Sequence, residues 1–155
     1  LRELTLEDAA FVMELFNDPD CIEHIGDKNI HSLDDAKDYL RNGPLAMYQA
    51  SGFGLWMVEQ REDGQAVGLC GLLKREYLDN PDIGFAFLPQ FRGKGFALES
   101  AKGCMHYAEQ HKLVPVCAIV SPDNPASIGL LKQLGMMFVS DVDTGDASRP
   151  THLYQ

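Results

Sequence analysis

The chain has 155 residues, 45% hydrophobic and 23% charged, enough for one domain with a sizeable core. Its formal net charge of −10 argues against general nucleic-acid binding, which wants a basic face. No apolar run approaches the roughly 18 residues needed to cross a membrane. The first residues also lack the basic, apolar, small-residue order of a secretory signal, so a cytoplasmic chain is expected.

Glycine and proline divide the sequence into short elements, with no repeat or linker. "TLEDAAFVMELF" (5–16) opens with Thr5 and has Asp8 three residues on, a variant of the capping box, and Ala9, Val12, Met13 and Phe16 share one helical face. "HSLDDAKDYL" (31–40) repeats the pattern with Ser32 as N-cap. The period then changes. "GLWMVEQ" (54–60) and "AVGLCGLLK" (66–74) predict a hairpin whose turn ends in Gly64, and "DIGFAFL" (82–88) predicts a strand ended by Pro89.

A glycine turn and an amphipathic helix follow (96–112), with Ala97, Ala101, Cys104, Met105 and Ala108 on one face. "VPVCAIVS" (114–121) predicts a buried strand. "NPASIGLLKQLG" (124–135) predicts a helix with Asn124 at the cap, Pro125 in the first turn and Gly135 at the stop. "MMFVSDV" and "THLYQ" predict closing strands around a polar loop, 143–150. The order implies an α+β fold, a mixed sheet with one β-α-β crossover in its middle. Cys21, Cys70, Cys104 and Cys117 form no C-x-x-C pair and three lie in apolar stretches. They read as buried free thiols rather than zinc ligands or a disulfide framework.

"PQFRGKGFALES" (89–100) is the stretch with chemistry in it. Gly93 and Gly95 allow positive φ and close backbone approach, and a helix start offers unpaired N–H groups at the positive end of a dipole. Strand, glycine turn and helix start together suit a pyrophosphate. A Walker A loop is excluded because Phe96 follows Gly95, and a Rossmann fingerprint because Leu98 stands where a small residue is needed. Alone, the turn also fits a glycine-lined helix entry with no ligand.

The surrounding residues narrow the choice. Gln90, Gly93 and Gly95 fill a Q/R-x-x-G-x-G/A pattern, "DIGFAFLP" precedes it, and "NPASIGLLKQLGM" follows at the right separation. With the opening "LTLEDA…FNDP" and "SLDDAKDYL", the chain resembles the GNAT superfamily of acyl-CoA-dependent N-acetyltransferases, and within it the ribosomal-protein N-terminal acetyltransferase (RimJ/RimL-like) branch. The resemblance implies a mostly antiparallel, twisted central sheet whose strands 82–88 and 114–120 splay apart around acetyl-CoA. It assigns the pantetheine arm to backbone groups of Phe87 and Leu88 and to Asn124. It assigns the pyrophosphate to the turn marked by Gln90, through backbone N–H groups of Phe91, Arg92, Gly93, Lys94 and Gly95, reaching into Phe96 and Ala97. No metal is implied.

Acetyl transfer needs a neutral amine, donors for an oxyanion, and a group beside the departing thiolate. Ser127, on the helix after the second splayed strand, is the candidate beside the thiolate. The tyrosine that many family members carry on this helix is replaced by Leu131. Asp82 and Glu59 are candidate bases, alongside Glu76, although each also fits a solvated strand-end charge. Trp56 and Tyr77 are candidates to line an acceptor pocket. The expected partners are acetyl-CoA and a primary amine, a protein N-terminus or a small molecule, with no nucleic acid and no membrane. Apolar residues near 130–138 leave room for a homodimer. The missing tyrosine keeps a second reading open, a non-catalytic acyl-CoA-binding sensor or scaffold. A nucleotide-phosphate binder is the third.

Overall fold

The computed structural model describes residues 1–146 and 148–155, so Ala147 of the polar loop lies outside the described residues. After a two-residue strand β1 (Arg2–Glu3), Thr5 and Asp8 form the expected capping box around a 3₁₀ turn. Helix α1 (Ala9–Phe16) follows and buries Ala9, Val12, Leu15 and Phe16. Helix α2 (Pro19–Ile25) has no counterpart in the sequence expectations. Its start is nevertheless well formed: Asp18 accepts the Cys21 N–H at 3.2 Å and Pro19 occupies the first turn.

Helix α3 (Leu33–Leu40) is capped by Ser32, as expected, the Asp35 N–H donating to its hydroxyl at 3.1 Å. It does not stop before Pro44. A π-helical turn (Arg41–Leu45) carries the chain into α4 (Ala46–Ser51). The wider turn accommodates a residue that has no N–H to donate. Tyr48 of α4 accepts the Leu4 N–H and donates to the Leu55 carbonyl, fastening this helix to the first strands.

Strands β2 (Leu55–Glu59), β3 (Ala66–Leu73) and β4 (Asp82–Phe87) join β1 in an antiparallel sheet of order β1-β2-β3-β4. Trp56, Cys70 and Phe85 stand in register on one face of it. That face packs on α5 (Phe96–Gln110): the Trp56 ring lies 5.0 Å from that of Tyr107, and the Cys70 and Cys104 sulfurs are 3.6 Å apart. Trp56 therefore packs against the sheet–helix core. Buried Val12, Leu15, Ala36 and Leu40 of the N-terminal helices belong to the same core. All four cysteines are buried free thiols.

The strands pack so closely at Gly71 that a Cβ there would lie 2.1 Å from the Gly54 carbonyl oxygen and 2.7 Å from the Leu55 Cα. Both are backbone atoms and have no rotamer to escape into. Gly71→Ala is expected to destabilise the chain by about 3 kcal/mol, read as a fall in the urea midpoint at unchanged slope.

Strands β5 (Ala118–Val120), β6 (Phe138–Asp141) and β7 (His152–Tyr154) form a second antiparallel sheet of order β5-β7-β6. Between β5 and β6 lies α6 (Pro125–Gln133). Both outer predictions shorten. Pro115 brings no N–H to a ladder, and Met136 is taken by the end of α6. There the Gly135 N–H donates to the Lys132 carbonyl and the Met136 N–H to Leu131, with Gly135 at φ +83°. The stretch expected to offer a partner surface runs into the edge strand β6, and Met137 just before it and Phe138 and Val139 within it are exposed.

Candidate active site

Among the described residues one β-bridge joins the two sheets. The Ile83 N–H donates to the Cys117 carbonyl at 2.8 Å and the Cys117 N–H to Pro81 at 2.9 Å, a parallel contact between the starts of β4 and β5. Beyond it the strands belong to separate sheets and part toward Phe87 and Val120. This is the splay implied by the resemblance.

Strand parity says which groups face the opening. In an antiparallel pair, alternate residues turn their N–H and C=O toward the partner strand. The Leu88 N–H donates to Val67 of β3, and the Ile83 N–H donates away from β3, to Cys117. The register between β3 and β4 has no bulge. Hence Ile83, Phe85 and Phe87 address the cleft, while Gly84, Ala86 and Leu88 address β3. Leu88 was expected to meet the pantetheine arm, but its N–H is committed to Val67 and its carbonyl accepts from Phe91. Phe85, not anticipated, turns its backbone toward the cleft two residues before Phe87.

The glycine turn also differs in extent from the expectation. Pro89–Phe91 form a 3₁₀ turn in which the Phe91 N–H donates to Leu88 and the Arg92 N–H to Pro89. The free run therefore begins at Gly93, not Phe91. Among the described residues no protein acceptor meets the N–H groups of Gly93, Lys94, Gly95, Phe96 or Ala97, and no side chain caps α5. Gly93 and Gly95 sit at φ +71° and +88°, and a Cβ at either would meet nothing within 4 Å. Exposed, left-handed glycines and an uncapped helix start leave room and donors for an anion. Gln90 is exposed beside them, and the Lys94 ammonium lies 5.6 Å from the centre of the Phe91 ring.

The Arg92 side chain turns away from this turn. Its Nε donates to the Phe87 carbonyl at 2.9 Å, and its two terminal nitrogens pair with Asp18 and Asp20 of the α2 N-terminus. Its charge is paired on α2 and leaves the turn's free N–H groups beside it unobstructed.

The three catalytic candidates are not brought together. Ser127 lies in the first turn of α6, half-buried, and its N–H donates to Asn124 Oδ1 at 3.0 Å. That bond commits one end of the Asn124 amide to capping. The Ser127 hydroxyl has no partner among the described residues. Asp82 lies at the closed end of the cleft, 1% exposed, with both carboxylate oxygens 3.0 Å from Arg75 Nε. Burial pushes its pKa up, and Arg75 opposes the shift. Glu59 is two strands from β4 and pairs with Arg2 at 2.8 Å near the outer strand β1. Tyr77 is exposed, its hydroxyl 3.2 Å from Arg75, and Glu76 is exposed.

Residues 1–137 match the family described as the acetyltransferase (GNAT) domain. The chain belongs to the GNAT acetyltransferase family. It is 27% identical over 138 residues to the uncharacterized N-acetyltransferase YoaA of Bacillus subtilis, covering 87% of this chain and 77% of that one. The spermidine N-acetyltransferase of Vibrio cholerae, solved with CoA and spermine, superposes with a TM-score of 0.80 at 17% identity, covering 99% and 91% of the two chains. The ribosomal-protein-alanine N-acetyltransferase of Brucella melitensis gives 0.77 at 18% identity, covering 99% and 96%.

As a GNAT acetyltransferase the chain has its recognisable residues in the turn and its unrecognisable ones in the cleft. Gln90, Gly93 and Gly95 are legible as a motif. Phe85 is not, because its place at the cleft follows from which edge of β4 faces β5. Among the described residues no group of three or more His, Cys, Asp or Glu side chains is arranged to hold a metal ion.

Proposed function

We propose that the chain is an acetyl-CoA-dependent N-acetyltransferase that acetylates a primary amine by direct attack in a ternary complex. The observation that carries this reading is the parting of β4 from β5 beside an open glycine turn. One exposes unpaired strand-edge groups, the other unpaired helix-start groups, and CoA has a pantetheine arm for the first and a pyrophosphate for the second.

In this reading the N–H groups of Gly93–Ala97 hold the pyrophosphate, and the Phe87 N–H and the Asn124 amide meet the pantetheine arm. Acetyl-CoA supplies the acetyl group as an activated thioester. The Phe85 N–H, nearer the closed end of the cleft, is placed for the carbonyl oxygen as negative charge develops there. The Ser127 hydroxyl donates toward the sulfur that leaves. Asp82 takes the amine proton through water, its raised pKa bringing it nearer the range of a useful base. Glu59 has no part beyond its pair with Arg2. The acceptor follows the RimJ/RimL-like resemblance, a protein N-terminus, with a small-molecule amine as the alternative.

Release of free CoA from acetyl-CoA across a panel of N-terminal peptides and polyamines tests the assignment. Turnover with peptides alone supports the protein-acceptor branch, and turnover with polyamines alone moves the chain to small amines. Tight acetyl-CoA binding with no turnover on any of them supports the sensor or scaffold instead. Ser127→Ala is expected to lower kcat about 10-fold to 100-fold with little change in KM for acetyl-CoA. An unchanged kcat, with chemistry limiting, removes Ser127 from the mechanism.

A further inference from the structure

Helix α2 is fastened at both ends by arginines from opposite sides of the cleft. At its start, Asp18 and Asp20 hold Arg92, whose Nε also holds the carbonyl of Phe87 at the end of β4. At its end, Arg149 Nη2 donates to the carbonyls of Ile22 at 2.9 Å and Glu23 at 2.8 Å. The guanidinium satisfies the Glu23 carbonyl, which the helix end leaves unpaired, shares the Ile22 carbonyl with the Gly26 N–H, and sits at the negative end of the helix dipole. Arg149 comes from the connection between β6 and β7. That connection is tied to the second sheet: the Val142 N–H donates to the Thr151 carbonyl at 2.9 Å, the Thr151 hydroxyl to the Arg149 carbonyl at 3.0 Å, and His152 pairs with Val120 at the end of β5.

Among the described residues the two arms of the cleft are otherwise joined, strand to strand, only at its closed end. A wedge hinged there has its width set by whatever spans its open end. Helix α2 spans it, with Phe87 and Arg92 on the β4 side and Arg149 on the β5–β7 side. We infer that α2 is a tie-bar across the mouth of the cleft, and that Arg149 is a positioning residue that holds β5 at the distance the pantetheine arm requires. The inference rests on the acetyl-CoA reading above. Gly26 belongs to the same device. It follows α2 at φ +108°, and a Cβ there would come within 2.7 Å of Arg149 Nη1. The absence of a side chain is what lets the guanidinium reach the helix end.

The tie-bar and a merely structural role differ in which half of CoA they affect. The pyrophosphate turn lies wholly on the β4 side, so it should keep its ligand when the mouth is loosened. The pantetheine arm, held between the strands, should not. The experiment is calorimetric titration of CoA and of 3′-phospho-ADP, which is CoA without its pantetheine arm, into the wild type and Arg149→Gln. Arg149→Lys and Gly26→Ala are titrated in parallel, and thermal unfolding identifies the folded variants.

In Arg149→Gln, CoA is expected to bind about 10-fold more weakly, as when the competent width is populated a tenth of the time. Affinity for 3′-phospho-ADP should change less than about 2-fold. Gly26→Ala should show the same selectivity, and Arg149→Lys, which keeps the charge on a shorter side chain, an intermediate loss. Unchanged CoA affinity in the folded variants, or equal weakening of both ligands, overturns the tie-bar and leaves the acetyl-CoA reading standing. Failure of the wild type to bind either ligand overturns both.

Discussion

Gly95→Trp is expected to weaken CoA binding about 100-fold or more in a chain that remains folded. Gly95 is the N-cap of α5, at φ +88°, and a Cβ there meets open space. An indole at this position would fill the space above the free N–H groups of the turn without pressing on the core. The left-handed conformation adds a strain of about 1–2 kcal/mol for any residue with a Cβ. Gly64→Ala separates strain from occlusion. Gly64 ends the β2–β3 turn at φ +71°, again with nothing near its Cβ position. It should show a similar loss of stability with unchanged CoA affinity. Calorimetric affinity equal to wild type in folded Gly95→Trp would remove the turn from the binding site.

Arg75→Met is expected to destabilise the fold by about 3–5 kcal/mol near neutral pH, because it leaves the Asp82 carboxylate buried without its partner. The deficit should depend on pH. Burial already raises the pKa of Asp82 above the ordinary carboxylate value, and Arg75 offsets part of that rise. Between the ordinary value and the raised one, the folded chain binds more protons at Asp82 than the unfolded chain does. The contribution of this group to stability therefore falls as pH rises through that window. Removing Arg75 raises the folded pKa further and extends the window upward. The gap between wild type and Arg75→Met should be small in acid and widen toward neutral pH. Asp82→Asn in the same background should recover part of the loss. Urea unfolding of the four chains of this cycle at several pH values measures the coupling. A gap independent of pH would show that Arg75 contributes packing alone.

The parts of this protein legible in its sequence are those governed by neighbours along the chain. Thr5, Ser32 and Asn124 cap helices because a short polar side chain reaches an N–H two or three residues on. Gly135 stops α6, and Gly93 and Gly95 turn into α5, because positive φ is a property of single residues. From these, with Gln90, the α+β fold and the family followed. Helix α2 carried its own signals in Asp18, Pro19 and Gly26. Over only seven residues they had no long apolar face to support them.

Side-chain chemistry across the chain was not legible. Arg92 lies in the turn assigned to the pyrophosphate, yet its side chain faces Asp18 and Asp20, more than 70 residues earlier. Glu59 looked like a base on a neighbouring strand and is paired with Arg2. Trp56 was open to a pocket or a core role, and its packing on Tyr107 gives it the core role. Sequence by itself determined the glycine turn, because a run of free backbone N–H groups at a helix start needs only glycines and a cap position left empty. The tertiary structure decided which edge of β4 is unpaired, that Phe85 rather than Leu88 faces the cleft, and what spans its mouth. Those follow from strand register and from contacts between distant residues, which no local pattern encodes.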